Sequence, residues 1–534
     1  MTKSTALIAS AALAVASLVP ATVPATVSAG VSAGGSAAGG GHAHHGDREL
    51  RRYAADTWRS FEAMVVPQTG LPTDNIGGSL RPRSRAGYTS PTNIGMYLWA
   101  TLAARDIGLI RPREATRRLE HTLDSVAQLE RHEPSGQFFN WYDPTTLELL
   151  RVWPEAPNDP VYPFASSVDN GWLAAALVMV ANAVPELHDE AWGLATSMNF
   201  GCYYDPAAKG AGQPGLIRGG FWLEGAAPPD ADPYPRGDYC AMGTDVVYTG
   251  HHYGAFNTEP RIASYLGIAF GQIPAEHYFA PWRTFPDSCD WGWTERPPVG
   301  EWHTYFGVDV FEGAYPYDDQ LVVPTWGGSM FEALMPALVV PEDEWGVNSW
   351  AITHPLYVES QIEFGLDEAG YGYWGFSPSS NPAGGYREYG VDAIGMEPAG
   401  YAADVDKLTL VDAGWPEPCA RPATEIVDYG QGVVTPHAAF LALGYDRPAT
   451  LANLDALADD FPAIYGKGGF KDAVNVATGQ VADRYLSLDQ GMVIAALANE
   501  LTGDRFQGYL GVTLHDSLVP LMAVEQFGAG RVEP

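Results

Sequence analysis

Carboxylic acids can give and take protons, and five stretches of the sequence set acids or amides beside other polar groups. Ser166-Ser167-Val168-Asp169-Asn170-Gly171-Trp172 leads into the most apolar run of the chain. Asp169 is open to two readings there: a helix N-terminal cap, or an acid whose pKa burial raises and which exchanges protons. His251-His252-Tyr253-Gly254-Ala255-Phe256-Asn257-Thr258-Glu259-Pro260-Arg261 brings two histidines, an amide, an acid and a guanidinium close together. Adjacent histidines cannot both face one ion from a helix or strand, so sugar-hydroxyl contacts plus a carboxylate are the more economical reading. A first-turn Glu259 complementing a helix dipole is the plainer alternative. Trp326-Gly327-Gly328-Ser329-Met330-Phe331-Glu332 opens a third apolar run, where Glu332 needs a polar partner or a task because an unpaired buried carboxylate is costly. Tyr373-Trp374-Gly375-Phe376-Ser377-Pro378-Ser379 and Gly385-Tyr386-Arg387-Glu388-Tyr389 offer aromatic faces and hydroxyls, suited to sugar rings or to plain loop packing. Asp489 and Gln490, in Asp483-Arg484-Tyr485-Leu486-Ser487-Leu488-Asp489-Gln490-Gly491, can each hold two hydroxyls or simply start a helix.

Other chemistries find no support. The chain has no Gly-x-x-x-x-Gly-Lys-Ser/Thr loop and no His-Glu-x-x-His. A Gly-x-Ser-x-Gly match, Gly30 to Gly34, opens no helix, and a Gly-x-Gly-x-x-Gly match, Gly370 to Gly375, follows no apolar strand. No cofactor and no metal is implied.

The elements that must position these residues are mostly helices. Three- and four-residue apolar spacing predicts them over 48–65, 92–104, 112–130, 168–184, 189–198, 257–270, 328–339, 345–363, 435–443, 449–460, 486–501 and 506–523. Ser90-Pro91 reads as a helix start. Long Gly/Pro/aromatic loops, 203–250, 283–327 and 364–434, lie between them, with short hairpins such as one near 136–141. About twelve helices in paired order suggest an all-α (α/α)6 barrel with long aromatic loops and minor β-hairpins, its loops ringing a central cavity.

Residues 1–33, with Lys3 ahead of apolar Ala6 to Val19 and small-residue cleavage patterns, read as a secretory signal peptide. Residues 34–46 read as a flexible Gly/Ala/His leader, and 47–534 as one catalytic domain. The expectation is a secreted, extracellular monomer. Acids outnumber bases 64 to 30 over 534 residues, for a formal charge of −34, which disfavours nucleic acid, membrane surfaces and anionic substrates as partners. Aromatic residues at 12% hint at carbohydrate. Four cysteines without a Cys-x-x-Cys spacing argue against structural zinc. In an oxidising compartment three pairings of them are possible, and Cys202–Cys240 with Cys289–Cys419 is the expectation.

The helix-start motifs taken together resemble the glycoamylase-like family, whose relatives include bacterial endo-β-1,2-glucanases and the cyclising domain of cyclic β-1,2-glucan synthase. The carrying residues are Ser90 to Leu98 with Ala103-Ala104-Arg105-Asp106, Val168-Asp169-Asn170-Gly171, and Trp326 to Glu332 with Leu334-Met335-Pro336. Tyr465-Gly466, Phe470-Lys471-Asp472-Ala473 and Leu488-Asp489-Gln490-Gly491 extend it, so that it runs in order over roughly residues 50–525. The resemblance implies one (α/α)6 barrel and cleavage of glucosidic bonds by carboxylic acids. Asp169 and Glu259 match acids of the glucanase branch; Glu332 matches one of the synthase-like branch. The expectation is a hydrolase of a neutral glucan, most plausibly β-1,2-linked. A transglycosylase, a hydrolase of another bacterial polysaccharide, and a glycan-binding protein without catalysis are the alternatives. Glu259 and Glu332 are expected as acid and base groups, with Asp169 as a third essential carboxylate. Tyr253, Trp326 and Trp374 are expected as sugar platforms. Asn93, Asn170, His252, Asn257, Arg261, Arg387, Asp489 and Gln490 are expected as further substrate-binding residues.

Overall fold

The computed structural model describes residues 40–532 apart from 211–212, 232–233, 239, 241–244, 285–295, 397–419 and 421–428. Helices dominate: α1 (Gly40–Met64), α2 (Pro91–Ile107), α3 (Pro112–Val126), α4 (Ser167–Ala183), α5 (His188–Thr196), α6 (Arg261–Ala269) and α7 (Met330–Leu334). After them come α8 (Glu342–Trp345), α9 (Trp350–Glu363), α10 (Pro436–Leu441), α11 (Arg447–Asp460), α12 (Ser487–Thr502) and α13 (Gly508–Met522). The start of α1 at Gly40 overlaps the stretch that composition reads as a leader.

Two kinds of helix alternate, and the sequence pattern sets the difference. In α3 the buried residues are Ala115, Leu119, Thr122, Leu123, Ser125 and Val126, a single stripe at helical spacing, while the opposite side is charged. In α2, α4 and α12 apolar residues cover nearly every face and nearly every residue is buried. Such helices are stable only with neighbours all round. Accordingly α2 lies between α4 and α12, α4 packs on α6, α12 on α10, and α10 on α7. The Arg261 guanidinium of α6 donates to the carbonyls of Glu332 and Ala333 in α7, at 2.9 and 2.6 Å, and closes the circuit. Backbones come very close where side chains vanish. A Cβ on Gly95 of α2 would meet the carbonyl oxygen of Trp172 at 2.9 Å and Leu173 Cα at 3.2 Å, so α2 and α4 keep their spacing only with glycine there.

Short strands hold the starts of these inner helices. Phe164–Ser166 runs straight into α4 and pairs antiparallel with Gly220–Leu223, which continues to Val246–Tyr248 and Arg236–Gly237. Asn75–Gly77 pairs with Arg484–Leu486, which runs into α12. Thr325–Trp326, before α7, pairs in parallel with Gly395–Met396.

The largest departure from the sequence reading lies within 283–327, expected as loop. Val299–Tyr305 and Val308–Tyr317 form an antiparallel hairpin closed by Phe306 and Gly307, both at positive φ. Tyr315 to Tyr317 then pairs with Gln320–Val322, which pairs with Gly530–Arg531. Cys202 and Cys240 form a disulfide, as expected; Cys289 and Cys419 lie outside the described residues. Among the described residues no helix is long and apolar enough to cross a membrane.

Candidate active site

Asp169, Glu259 and Glu332, widely separated in sequence, come together at the N-terminal ends of α4, α6 and α7. At α4 the cap is Ser166, whose hydroxyl accepts from the Asp169 N–H at 3.2 Å. The Asp169 carboxylate is therefore free for another task, and its Oδ1 accepts the Thr92 hydroxyl from the start of α2 at 2.7 Å. One turn along α4, on the same face, Trp172 donates its indole N–H to Glu259 Oε2. Glu259 precedes α6, and its backbone N–H donates to Glu332 Oε2 at 2.8 Å. The neighbouring Thr258 hydroxyl donates to the same oxygen.

Glu332 reaches this point because Gly327 and Gly328, both at positive φ, turn the chain sharply between the Thr325–Trp326 strand and α7. At Gly328 a Cβ would lie 1.9 Å from the Val391 carbonyl oxygen, so no side chain fits. Arg261 stiffens the assembly from behind. It forms a two-point pair with Glu342 at 2.7 and 2.9 Å and also donates to the Thr258 carbonyl at 3.0 Å. With its main-chain bonds to α7, this uses its donors fully.

Burial raises the pKa of both glutamates. Glu259 is pushed well above the ordinary carboxyl range by desolvation and then by the charges of Glu332 and Asp169, against the lowering effect of the Trp172 bond. Glu332 is pushed up to about 7 by desolvation, while the Thr258 hydroxyl, the Glu259 N–H and Arg261 favour its charged form. Two close acids cannot both ionise cheaply. The one with donors aimed at its carboxylate, Glu332, keeps the charge more readily, and Glu259 keeps the proton. Tyr253 lies among all three acids: burial and then Glu259, Asp169 and Glu332 push its phenol well above its usual range.

The expected substrate-binding residues divide. Trp326 and His252 are half-buried and Arg387 is exposed. His252 Nε2 sits 2.9 Å from Asp205 Oδ2, and Asp205 is also paired with Arg218. Asn93 donates to Asp74 Oδ1 at 2.9 Å, beside Thr92 but on the other side of the α2 start. The others are buried, and several of them have side-chain hydrogen bonds to the fold. Asn170 bonds the backbone of Phe138 in both directions, and Asn257 donates to the Val323 carbonyl. Gln490 donates to the Phe470 carbonyl and accepts from Ser60. Arg261 is committed to Glu342 and α7. Trp374 is 2% exposed and offers no open ring face, and Tyr253 presents a buried phenol in place of a stacking surface. Asp489 is 1% exposed, and neither of its oxygens has a donor. It lies with His437 and Asp472 in a second acidic cluster. The contribution of Trp172 and Thr258 was not foreseen, since neither type signals chemistry in a sequence.

Residues 297–506 match the family model for the Glycoamylase family, described as "Putative glucoamylase", and residues 52–201 match that of a protein family of unknown function, DUF3131. The resemblance to glycoamylase-like proteins thus holds. Over 139 residues the chain is 40% identical to cyclic β-(1,2)-glucan synthase of Rhizobium meliloti, a match covering 26% of this chain and 4% of that protein. Two solved structures share the fold. A β-1,2-glucanase from Parabacteroides distasonis aligns at TM-score 0.59 and 16% identity, covering 89% of this chain and 60% of that one. An endo-β-1,2-glucanase from Chitinophaga pinensis, in complex with sophorotriose and glucose, aligns at TM-score 0.57 and 15% identity, covering 90% and 98%. The chain has the helical fold of glucan-active glycoside hydrolases.

Proposed function

We propose that this protein is a secreted glycoside hydrolase of neutral glucans, with β-1,2-glucan as its substrate, built as an (α/α)6 barrel and acting as a monomer. The observation that carries the reading is the hydrogen-bonded run from Asp169 and Trp172 through Glu259 to Glu332. It sets two buried acids of unequal proton affinity side by side. Cleaving a glycosidic bond takes one protonated carboxyl to protonate the leaving oxygen and one ionised carboxylate to serve as base or nucleophile. Glu259 fits the first role and Glu332 the second. Asp169 and the Tyr253 phenol, beside both, are suited to holding sugar hydroxyls. The ring of inner helices supports the barrel reading, and the β-1,2-glucanases sharing the fold support the substrate. The Cys202–Cys240 bridge suits an oxidising compartment. Reducing-end release from purified β-1,2-glucan, compared with β-1,3-glucan, β-1,4-glucan and starch, is the test. Release from β-1,2-glucan alone, abolished in Asp169→Asn/Glu259→Gln/Glu332→Gln, is expected. Release that survives in this variant, or binding without turnover by the unaltered protein, refutes the assignment.

A further inference from the structure

Beyond the catalytic acids, on the Asn93 side of α2, the structure places His437, Asp472 and Asp489 in one buried cluster. His437 comes from the first turn of α10, Asp489 from the first turn of α12, and Asp472 from the segment between α11 and α12. Each can present one ligand atom such that all three atoms lie within 4.8 Å of one another. We propose that these three side chains bind one divalent first-row transition ion of the Zn²⁺ or Mn²⁺ kind.

The bonding around the cluster carries the inference. The Thr435 hydroxyl donates to the Asp472 carbonyl at 2.5 Å, so towards His437 Nδ1, 2.8 Å away, it can only accept. That bond places the hydrogen on Nδ1, which also lies 3.7 Å from Asp489 Oδ1, and leaves the lone pair on Nε2, the form of imidazole that binds metals. His437 Nε2 has no partner and is buried. One oxygen of Asp472 is held by the Ser380 N–H at 2.7 Å; the other has no donor. Neither Asp489 oxygen has a donor either, although the side chain is 1% exposed.

Four buried polar atoms without partners and two facing acids call for a positive charge. A proton shared between the acids would serve one oxygen of each and leave Nε2 and an Asp489 oxygen unsatisfied. One ion serves all three residues at once. Ligand atoms within 4.8 Å of one another can close on one ion at the ~2.0–2.2 Å bonds of a nitrogen- and carboxylate-bound Zn²⁺. A mixed imidazole and carboxylate set favours such an ion over Ca²⁺ or Mg²⁺, which prefer oxygen alone. The site does not depend on the glycosidase reading, and its test reads metal content and stability.

The experiment is metal analysis by mass spectrometry of the purified full chain after dialysis, with melting temperatures measured with added Zn²⁺, Mn²⁺ or chelator. One equivalent of metal per chain, a melting temperature lowered by chelator and restored by Zn²⁺ or Mn²⁺, and loss of that equivalent in His437→Gln and Asp489→Asn are expected. Because His42, His44 and His45 could bind metal weakly, the variant with alanine at those three positions should keep the full equivalent. Absence of metal with no thermal response to either ion overturns the proposal in favour of a shared proton. An equivalent that persists in both cluster variants overturns it by placing the ion elsewhere. Should those variants fail to fold, anomalous scattering at the zinc edge from crystals of the unaltered protein decides: a peak between the three side chains supports the site, and no peak refutes it.

Discussion

Two buried pairs of glutamates in this molecule are treated in opposite ways. At the candidate site Glu259 and Glu332 receive an indole N–H, a hydroxyl and a backbone N–H, while the nearest guanidinium, Arg261, is bound to Glu342 and main-chain carbonyls. Beneath the hairpin, Glu525 and Glu312 have Arg283 between them. Arg283 Nε donates to Glu525 at 2.8 Å and lies 3.8 Å from Glu312, and the Tyr278 hydroxyl donates to Glu525 at 2.6 Å. A guanidinium stays charged at any working pH and favours the anion of the carboxylate it bonds, although burial still raises both Glu525 and Glu312. Neutral donors only bias a carboxyl, leaving its proton exchangeable. The second pair thus fastens the chain through a buried ion pair at Glu525, whereas the first is held by neutral donors alone.

Breaking the first pair should cost most in rate. Glu259→Gln keeps the shape but removes the exchangeable proton, and kcat on β-1,2-glucan should fall by about 10²–10⁴-fold. The circular dichroism spectrum and melting temperature should stay near those of the parent; a parent-like kcat would show that the proton comes from elsewhere.

Breaking the second pair should cost stability instead. Glu525→Gln leaves Arg283 buried with a weakened partner, and the loss should be about 3–5 kcal/mol in denaturant unfolding. The folded fraction should turn over substrate at the parental rate. A loss below ~1 kcal/mol would equate this cluster with exposed ion pairs.

The contrast also has a pH signature. A glutamate in an unfolded chain titrates near ~4.3. Burial raises both active-site glutamates in the folded state, so folding takes up protons there. Their contribution to stability is complete below the unfolded value and is lost as pH rises through the folded one, about 7 for Glu332. Melting temperature should therefore decline between pH 5 and pH 7.5, and Glu332→Gln should flatten that decline. An unchanged slope would mean that Glu332 is already ionised throughout.

The smallest effect should come from Trp172→Phe. The indole bond lowers the Glu259 pKa, so its loss should move the alkaline limb of the rate profile to higher pH. The rate at the optimum should drop only about fivefold, equivalent to the ~1 kcal/mol of one hydrogen bond. A limb that moves down, or stays, would detach Trp172 from the proton.

How much of this was legible in the residues depended on how local the signal was. The helices were readable because three- and four-residue spacing is a local property; Ser90-Pro91 marks the start of α2 where it was expected. The Val299–Tyr317 hairpin was missed, although Val308 and Val310 alternate with polar Asp309, because its turn is Phe306-Gly307 and lacks the Asn-Gly signature. The meeting of Asp169, Glu259 and Glu332 followed from assuming that acids at helix starts share one end of a ring. The fate of Asn170, Asn257 and Gln490 could not be read. A buried amide that satisfies backbone and one that grips a ligand look alike until the backbone is placed. His437 and Asp472 carry no metal-ligand spacing, and only the packing of α10 beside α12 brings them together.

Thr92 and Asn93 are consecutive residues, and they touch different acids: Thr92 the Asp169 of the candidate site, Asn93 the Asp74 beside the second cluster. Successive side chains on a helix diverge by roughly 100°, so the tip of α2 holds both acids at once, one through each residue. Any roll or slide of that tip displaces both contacts together. Mutational drift in α2, even in its glycine-tight lower turns, would accordingly retune two sites as a unit, and neither can be redesigned alone from this helix.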